Sequence, residues 1–169
     1  YFYYMFCIER VGRLTGKRYI GTTDWYRLGC EYIVNLQDEL RGSWTGSLAH
    51  GEHQPAVATS FALLYLSKGR RPVVIAKLKY GKTNDNSWNQ HAHDMQNIVL
   101  HTERRWNMYL TWQSIDIKLA STNDLLETPV LFISGKGSLD LTTGQKEGLV
   151  EYINQGGFLF VENSCHNPQ

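Results

Sequence analysis

The sequence predicts two modules of different class: helices alone over residues 1–71, then an incomplete, doubly wound and mostly parallel α/β sheet over residues 72–169. Three observations lead there. Apolar residues recur at helical spacing as far as VATSFALLYL. After Arg70 and Arg71 the pattern changes to strand-like runs, RPVVIAKLKY, YLTWQSI, VLFIS and FLFV, each separated from the next by a helical stretch. Such an alternation favours a parallel sheet with helices on both faces, because each crossover must return the chain to the same strand direction.

Taken in order, Tyr1–Val11 is apolar nearly all round and predicts a helix buried on most sides, closed by Gly12 and Gly16. Asp24 can cap a second helix whose Trp25, Leu28, Tyr32, Ile33 and Leu36 form an inner face, leaving Arg27, Glu31, Asn35 and Asp38 to water. Pro55 suits the first turn of a third, mostly buried helix ending at Gly69. The order buried, amphipathic, buried is that of stacked helical hairpins with inner and outer helices. In the second half, Trp88, Ala92, Met95, Ile98, Val99, Thr102 and Trp106 predict one long amphipathic helix. Ser121–Asp124 and Thr142–Gln145 have the spacing of capping boxes, and Leu149, Val150 and Ile153 form the predicted buried face of the helix that Gly156 and Gly157 end.

Composition bounds the function. With 17 basic and 16 acidic residues the net charge is +1, so no broad field draws the chain to nucleic acid or an anionic membrane. No apolar run reaches the roughly 18–20 residues of a membrane span. Cys7, Cys30 and Cys165 are odd in number and scattered, which argues against a disulfide framework or a zinc cluster. No cofactor is expected. The chain begins inside the apolar run YFYYMFCI and stops just after FLFV, so we expect an internal fragment of a longer protein.

Arg27, then Tyr32-Ile33, three residues, Gln37, four residues, Gly42, one residue and Trp44 resemble the QW-type repeat of the squalene–hopene cyclase and prenyltransferase superfamily. The resemblance implies that residues 1–71 are part of an α/α toroid in which Gln37, Gly42 and Trp44 brace an outer helix against the following turn. A Trp buries much apolar area while its N–H needs one partner, which favours bracing over ligand stacking. From about Pro72 onward, KLKYG, WNQHAHDMQNI, LTWQ, STNDLLETPVLFISG and YINQGGFLFVENSC resemble the start of the family called domain of unknown function 4159. That resemblance implies a flavodoxin-type fold similar to class I glutamine amidotransferases, fused behind cyclase-type repeats. The pairing suggests a bacterial protein and leaves the cell envelope open as its location.

Terpenoid cyclisation in that superfamily needs an acidic D-x-D-D cluster, and this segment has none. His50 and His53 read as a polar turn rather than zinc ligands, and the stripe His93, Asn97, His101 as a polar helix face. Open α/β sheets bind ligands outside the carboxyl ends of their strands, so Gly81–Asn86, Ser134–Gly137 and Glu162–His166 form the expected rim. The ligand candidates are Asp94, Asn97, Gly135, Lys136 and Asn163. Cys165 with Glu162 and His166 offers a thiol, a carboxylate and an imidazole, the groups of nucleophilic acyl transfer. The Gly-x-Cys-x-Gly elbow of a glutamine amidotransferase is missing around it. The expectation is therefore binding or scaffolding with a small-molecule or protein partner. The alternatives are a cysteine hydrolase or amidotransferase-like enzyme at Cys165, and isoprenoid or lipid binding in a cavity lined by Tyr3, Tyr4, Phe6, Phe61 and Tyr65.

Overall fold

Helix α1 (Phe2–Thr15) stops at Gly16, whose φ of 63° lies in the left-handed region that ends helices cheaply only for glycine. It is the first element of a computed structural model that describes residues 1–82, 85–136 and 138–164. The chain divides into two units, Tyr1–Arg71 and Pro72–Gln169.

In the first unit a two-residue antiparallel ladder, β1 (Tyr19–Ile20) with β2 (Thr23–Asp24), interrupts what the sequence predicts to be helices only. Asp24 then caps α2 (Trp25–Asn35), its carboxylate accepting from the Arg27 amide at 3.1 Å. Pro55 opens α3 (Pro55–Leu66), which ends at Leu66; Gly69 falls instead within a 3-10 turn, Ser67–Arg70. The core is Phe2, Trp25, Ile33, Trp44, Ala58, Ala62 and Tyr65. Three donors buried in or against it find backbone carbonyls: Trp25 Nε1 to Lys17 O at 2.7 Å, Trp44 Nε1 to Ile33 O at 2.7 Å, and Tyr65 Oη to Trp25 O at 2.6 Å.

The burial differs from the prediction. Tyr1, Tyr4, Val11 and Leu14 flanking or on α1, and Leu63 and Leu64 on α3, are exposed, because three helices enclose only one stripe of each. Of the predicted inner face of α2, Trp25 and Ile33 are buried while Leu28, Tyr32 and Leu36 are exposed. Gly29 takes the place between Trp25 and Ile33: a Cβ there would lie 1.9 Å from Tyr65 Oη. Gly12 is no helix stop. It sits inside α1, where a Cβ would lie 2.1 Å from the Trp25 ring.

The second unit is a four-stranded sheet in the order β4-β3-β5-β6, with every pairing parallel: β3 (Val73–Lys79), β4 (Thr111–Asp116), β5 (Val130–Gly135) and β6 (Phe158–Asn163). VLFIS and FLFV thus lie side by side. Between the strands run α4 (Asp94–Trp106), α5 (Thr122–Leu126) and α6 (Thr143–Asn154). Both predicted capping boxes form, at Ser121/Asp124 and Thr142/Gln145. Met95 and Val99 of α4 pack with Ile75, Leu110 and Phe132 on one face. The alternating set Ala76, Leu78, Ile115, Leu131 and Ile133 is buried too, so both faces of the central strands are covered.

Two predicted helical faces are corrected. Helix α4 begins at Asp94, and Trp88 lies in a separate 3-10 turn, Ser87–Asn89, while Ile98 and Trp106 are exposed. On α6 the buried residues are Leu149 and Tyr152; Val150 and Ile153 face solvent. Tyr152 serves because its hydroxyl reaches Thr128 O at 3.0 Å beneath the start of β5.

Gly29→Ala should lower the thermal midpoint, since overpacking costs about 1–3 kcal/mol while the gain in helix propensity is at most about 1 kcal/mol. Gly144→Ala in the first turn of α6, where a Cβ meets nothing within 4 Å, should raise the midpoint. Differential scanning calorimetry reads both, and two shifts of the same sign would contradict the packing described here.

Candidate functional site

Strand β3 carries a lysine where a doubly covered strand should be apolar. Lys77 is 1% exposed, and all three of its donors are used: Nζ reaches Asn89 Oδ1 at 2.9 Å, His91 O at 3.0 Å and Asp94 Oδ2 at 2.5 Å. The rings of Trp88 and Phe132 lie 6.0 and 5.8 Å from the ammonium, at the limit of cation–π attraction. A buried ammonium costs several kcal/mol to dehydrate, so only such a complete set of partners keeps it charged inside. Its stem lies on the α4 face of the sheet, level with Phe132 of β5 and Ser114 of β4.

From Lys77 the contacts lead to the carboxyl ends of the strands. The chain leaves β3 through α4 to β4, then crosses back over β3 to β5, so the winding direction reverses between β3 and β5. At such a switch point the two outgoing loops part and leave a crevice. Here Tyr80, just after β3, donates to Ser134 O at 3.0 Å, and burial, with Asp85 nearby, pushes its phenol up from the ordinary range. Ser134, fully buried, donates from Oγ to Trp88 O at 3.2 Å. Gly135 is obligatory: a Cβ there would lie 1.8 Å from Tyr80 Oη and 3.2 Å from Ser87 O. The Asp85 carboxylate accepts from the Ser87 amide at 2.8 Å, which holds it below the usual carboxylate range and shapes the turn leading to Trp88. The crevice is thus occupied by the chain's own segment from Ser87 onward.

The residues singled out from sequence divide accordingly. Asp94 pairs with Lys77, whereas Asn97, one turn on, is exposed. Gly135 lies at the crevice; Lys136 is exposed just beyond it. Glu162 and Asn163 are exposed at the end of β6, and the Ser164 amide donates to Gly135 O at 3.0 Å, bringing that end of β6 to the same rim. Cys165 and His166 lie outside the described residues, as do Thr83, Asn84 and Gly137 of the expected rim. His93 and His101 are exposed, and among the described residues no three His, Cys, Asp or Glu converge to hold a metal ion. Ser134 falls within the expected rim, whereas Lys77, Trp88 and Asn89 were not legible as a site. The available signal was a lysine inside RPVVIAKLKY, a run apolar enough to be a central strand, with an aspartate opening the next helix.

In the first unit, Gln37 Nε2 donates to Gly42 O at 2.8 Å, Gly42 takes a φ of 64°, and Trp44, 4% exposed, plugs the core below. The five aromatics expected to line one cavity are divided. Tyr65 is core; Tyr3 and Phe6 pack on Phe61; Tyr4 lines an open groove of about 470 Å³ with Met5, Ile8, Leu28 and Tyr32. In the turn LAHGEHQP, His50 and His53 are exposed, as the polar-turn reading expects, and Glu52 alone is buried. Glu52 is fully buried and accepts from the Tyr3 amide at 2.8 Å at the start of α1, while His50 stacks on Tyr3 with ring centroids 4.6 Å apart. Among the described residues no helix is long and apolar enough to cross a membrane.

Asp94→Ala should cost about 3–5 kcal/mol in urea unfolding, because it strands a buried cation. Asp116→Ala, which breaks the more exposed Lys79–Asp116 pair of 2.8 Å, should cost no more than about 1 kcal/mol. Equal losses would show that the Lys77 environment is no more desolvated than the surface. Comparison of the chain with curated proteins and with solved structures returns no match. Against protein families, residues 74–169 match the family described as domain of unknown function (DUF4159). That span holds β4, β5, β6 and all of β3 but Val73, with Lys77 and the β3/β5 crevice, and the chain belongs to the DUF4159 family.

Proposed function

We propose that the α/β unit binds a small-molecule or protein partner at the carboxyl-end rim between β3 and β5, and that the chain acts as a binding or scaffolding module. The observation that supports this reading is the reversal of winding at β3/β5, where Gly135 admits no side chain and backbone groups of three segments meet. A strand order that steps outward once and then crosses back is that of flavodoxin-type sheets, whose ligands sit at the corresponding point. This is an argument from fold analogy. The Gln37–Gly42 and Trp44–Ile33 hydrogen bonds support reading residues 1–71 as a toroid-type repeat in which those residues brace the helix end.

The second reading is a cysteine-dependent hydrolase or amidotransferase-like enzyme centred on Cys165. It is favoured by one contact, the Ser164 amide on Gly135 O, which brings the residue before Cys165 to the same rim.

Two measurements separate these. In two-dimensional NMR of the chain titrated with inorganic phosphate, adenosine diphosphate and glutamate, shifts should cluster at residues 80–82, 134–136 and 162–164. Shifts confined to residues 1–71, or none with any probe, would remove the rim from consideration as a small-molecule site. For the enzyme reading, the difference in thiol labelling between the native chain and Cys165→Ser should titrate well below the ordinary cysteine value of about 8.5. Ordinary titration of that difference would dismiss Cys165 as a nucleophile.

A further inference from the structure

The segment between β3 and α4 is held down in an unusual way. Its grip on the sheet is polar: Asn89 Oδ1 and His91 O on the Lys77 ammonium, and Trp88 O on the Ser134 hydroxyl. Its apolar hold is slight, since Trp88 is only partly buried and Asn86, Gln90, His91, Ala92 and His93 are exposed. Segments with few buried apolar contacts are the ones that open at free energies far below that of global unfolding. The closed arrangement also carries a penalty, for Trp88 Nε1 is buried with no hydrogen-bond partner among the described residues, and an unsatisfied buried donor raises the free energy of the state that contains it. Opening would not strand the cation. Asp94 belongs to α4, whose Met95 and Val99 are anchored in the core, so the Lys77–Asp94 pair survives when Asn89 and His91 leave.

We propose that Ser87–His91 is a strap that closes the crevice between the carboxyl ends of β3 and β5, fastened by Lys77 and Ser134, and that it releases while the sheet stays folded. The inference rests on the rim reading above and adds its regulation: a ligand reaches the crevice only in the released state, where the ammonium of Lys77, relieved of two acceptors, presents two free donors. Ligands with oxygen acceptors, carboxylates or phosphates, are the chemistry those donors select.

The test is competitive acetylation of the native chain with an N-hydroxysuccinimide ester, read by tandem mass spectrometry at Lys77 and, as an internal reference, at the more exposed Lys79 on the same strand. Lys77 should be modified slowly, at a rate insensitive to guanidinium below the unfolding transition, the mark of a local opening. Asn89→Ala should accelerate it about tenfold, as expected for loss of one hydrogen bond to a charged group, with Lys79 unchanged. Ser134→Ala serves as an independent release should the first variant not fold. Modification of Lys77 only at the rate of global unfolding, rising with denaturant as the amide exchange of β5 does, would overturn the strap, as would folded variants that leave its rate unaltered. No ligand enters the measurement. A chain that labels in the expected pattern yet shows no rim shifts in NMR would keep the strap and lose the binding reading.

Discussion

The second unit is organised around one ammonium group that water cannot reach. A parallel sheet with both faces covered has room only for apolar side chains, and Lys77 breaks that rule in the middle of β3. Because dehydrating the charge is so unfavourable, its surroundings must supply a carboxylate, an amide oxygen and a backbone carbonyl in correct geometry. Those three acceptors come from a segment of only six residues, Asn89 to Asp94, so satisfying the cation also fixes where the β3–α4 connection runs and where α4 begins. The same segment sets the Trp88 carbonyl on the Ser134 hydroxyl and the Ser87 carbonyl close to Gly135, at the end of β5.

A different solution governs the first unit. Its buried Trp25, Trp44 and Tyr65 each bring a polar group inside, and each disposes of it on a backbone carbonyl: Trp25 on Lys17, Trp44 on Ile33, Tyr65 on Trp25. The Ile33 carbonyl, in the last turn of α2, accepts from the Leu36 amide at 3.1 Å as well as from Trp44 Nε1. Trp44 therefore fills a core position and caps a helix at once. Glycines make this possible by clearing space: Gly12 beneath the Trp25 ring and Gly29 beneath the Tyr65 hydroxyl.

The two units thus illustrate opposite uses of buried polarity. In the helices, neutral donors meet backbone carbonyls and lock the packing. In the sheet, a charge meets three acceptors from one short segment beside the point where the strand order reverses. Sheet ends with reversed winding are where α/β proteins bind ligands, and here the position is taken by a polar segment with little apolar attachment. Charge burial beside a topological crevice is the feature that sets this sheet apart from one with a wholly apolar interior.

Local sequence determined the change of class after Arg71, the identity of the four sheet strands, the cap residues Asp24, Ser121 and Thr142, and the first-turn Pro55, because these depend on backbone geometry within a few residues. The family resemblance of the second half rested instead on particular residues, among them KLKYG and YINQGGFLFVENSC. Burial was another matter. Leu28, Tyr32, Val150 and Ile153 have the right spacing for a core yet face solvent, while Gly29 and Tyr152 lie inside, since which stripe of a helix is enclosed depends on the neighbours it meets. Lys77 is the sharpest instance. Its letter in the sequence reads as a solvated strand residue, and only the pairing of β3 between β4 and β5, with α4 laid across one face, decided that it would be buried and so required Asn89, His91 and Asp94 to gather around it.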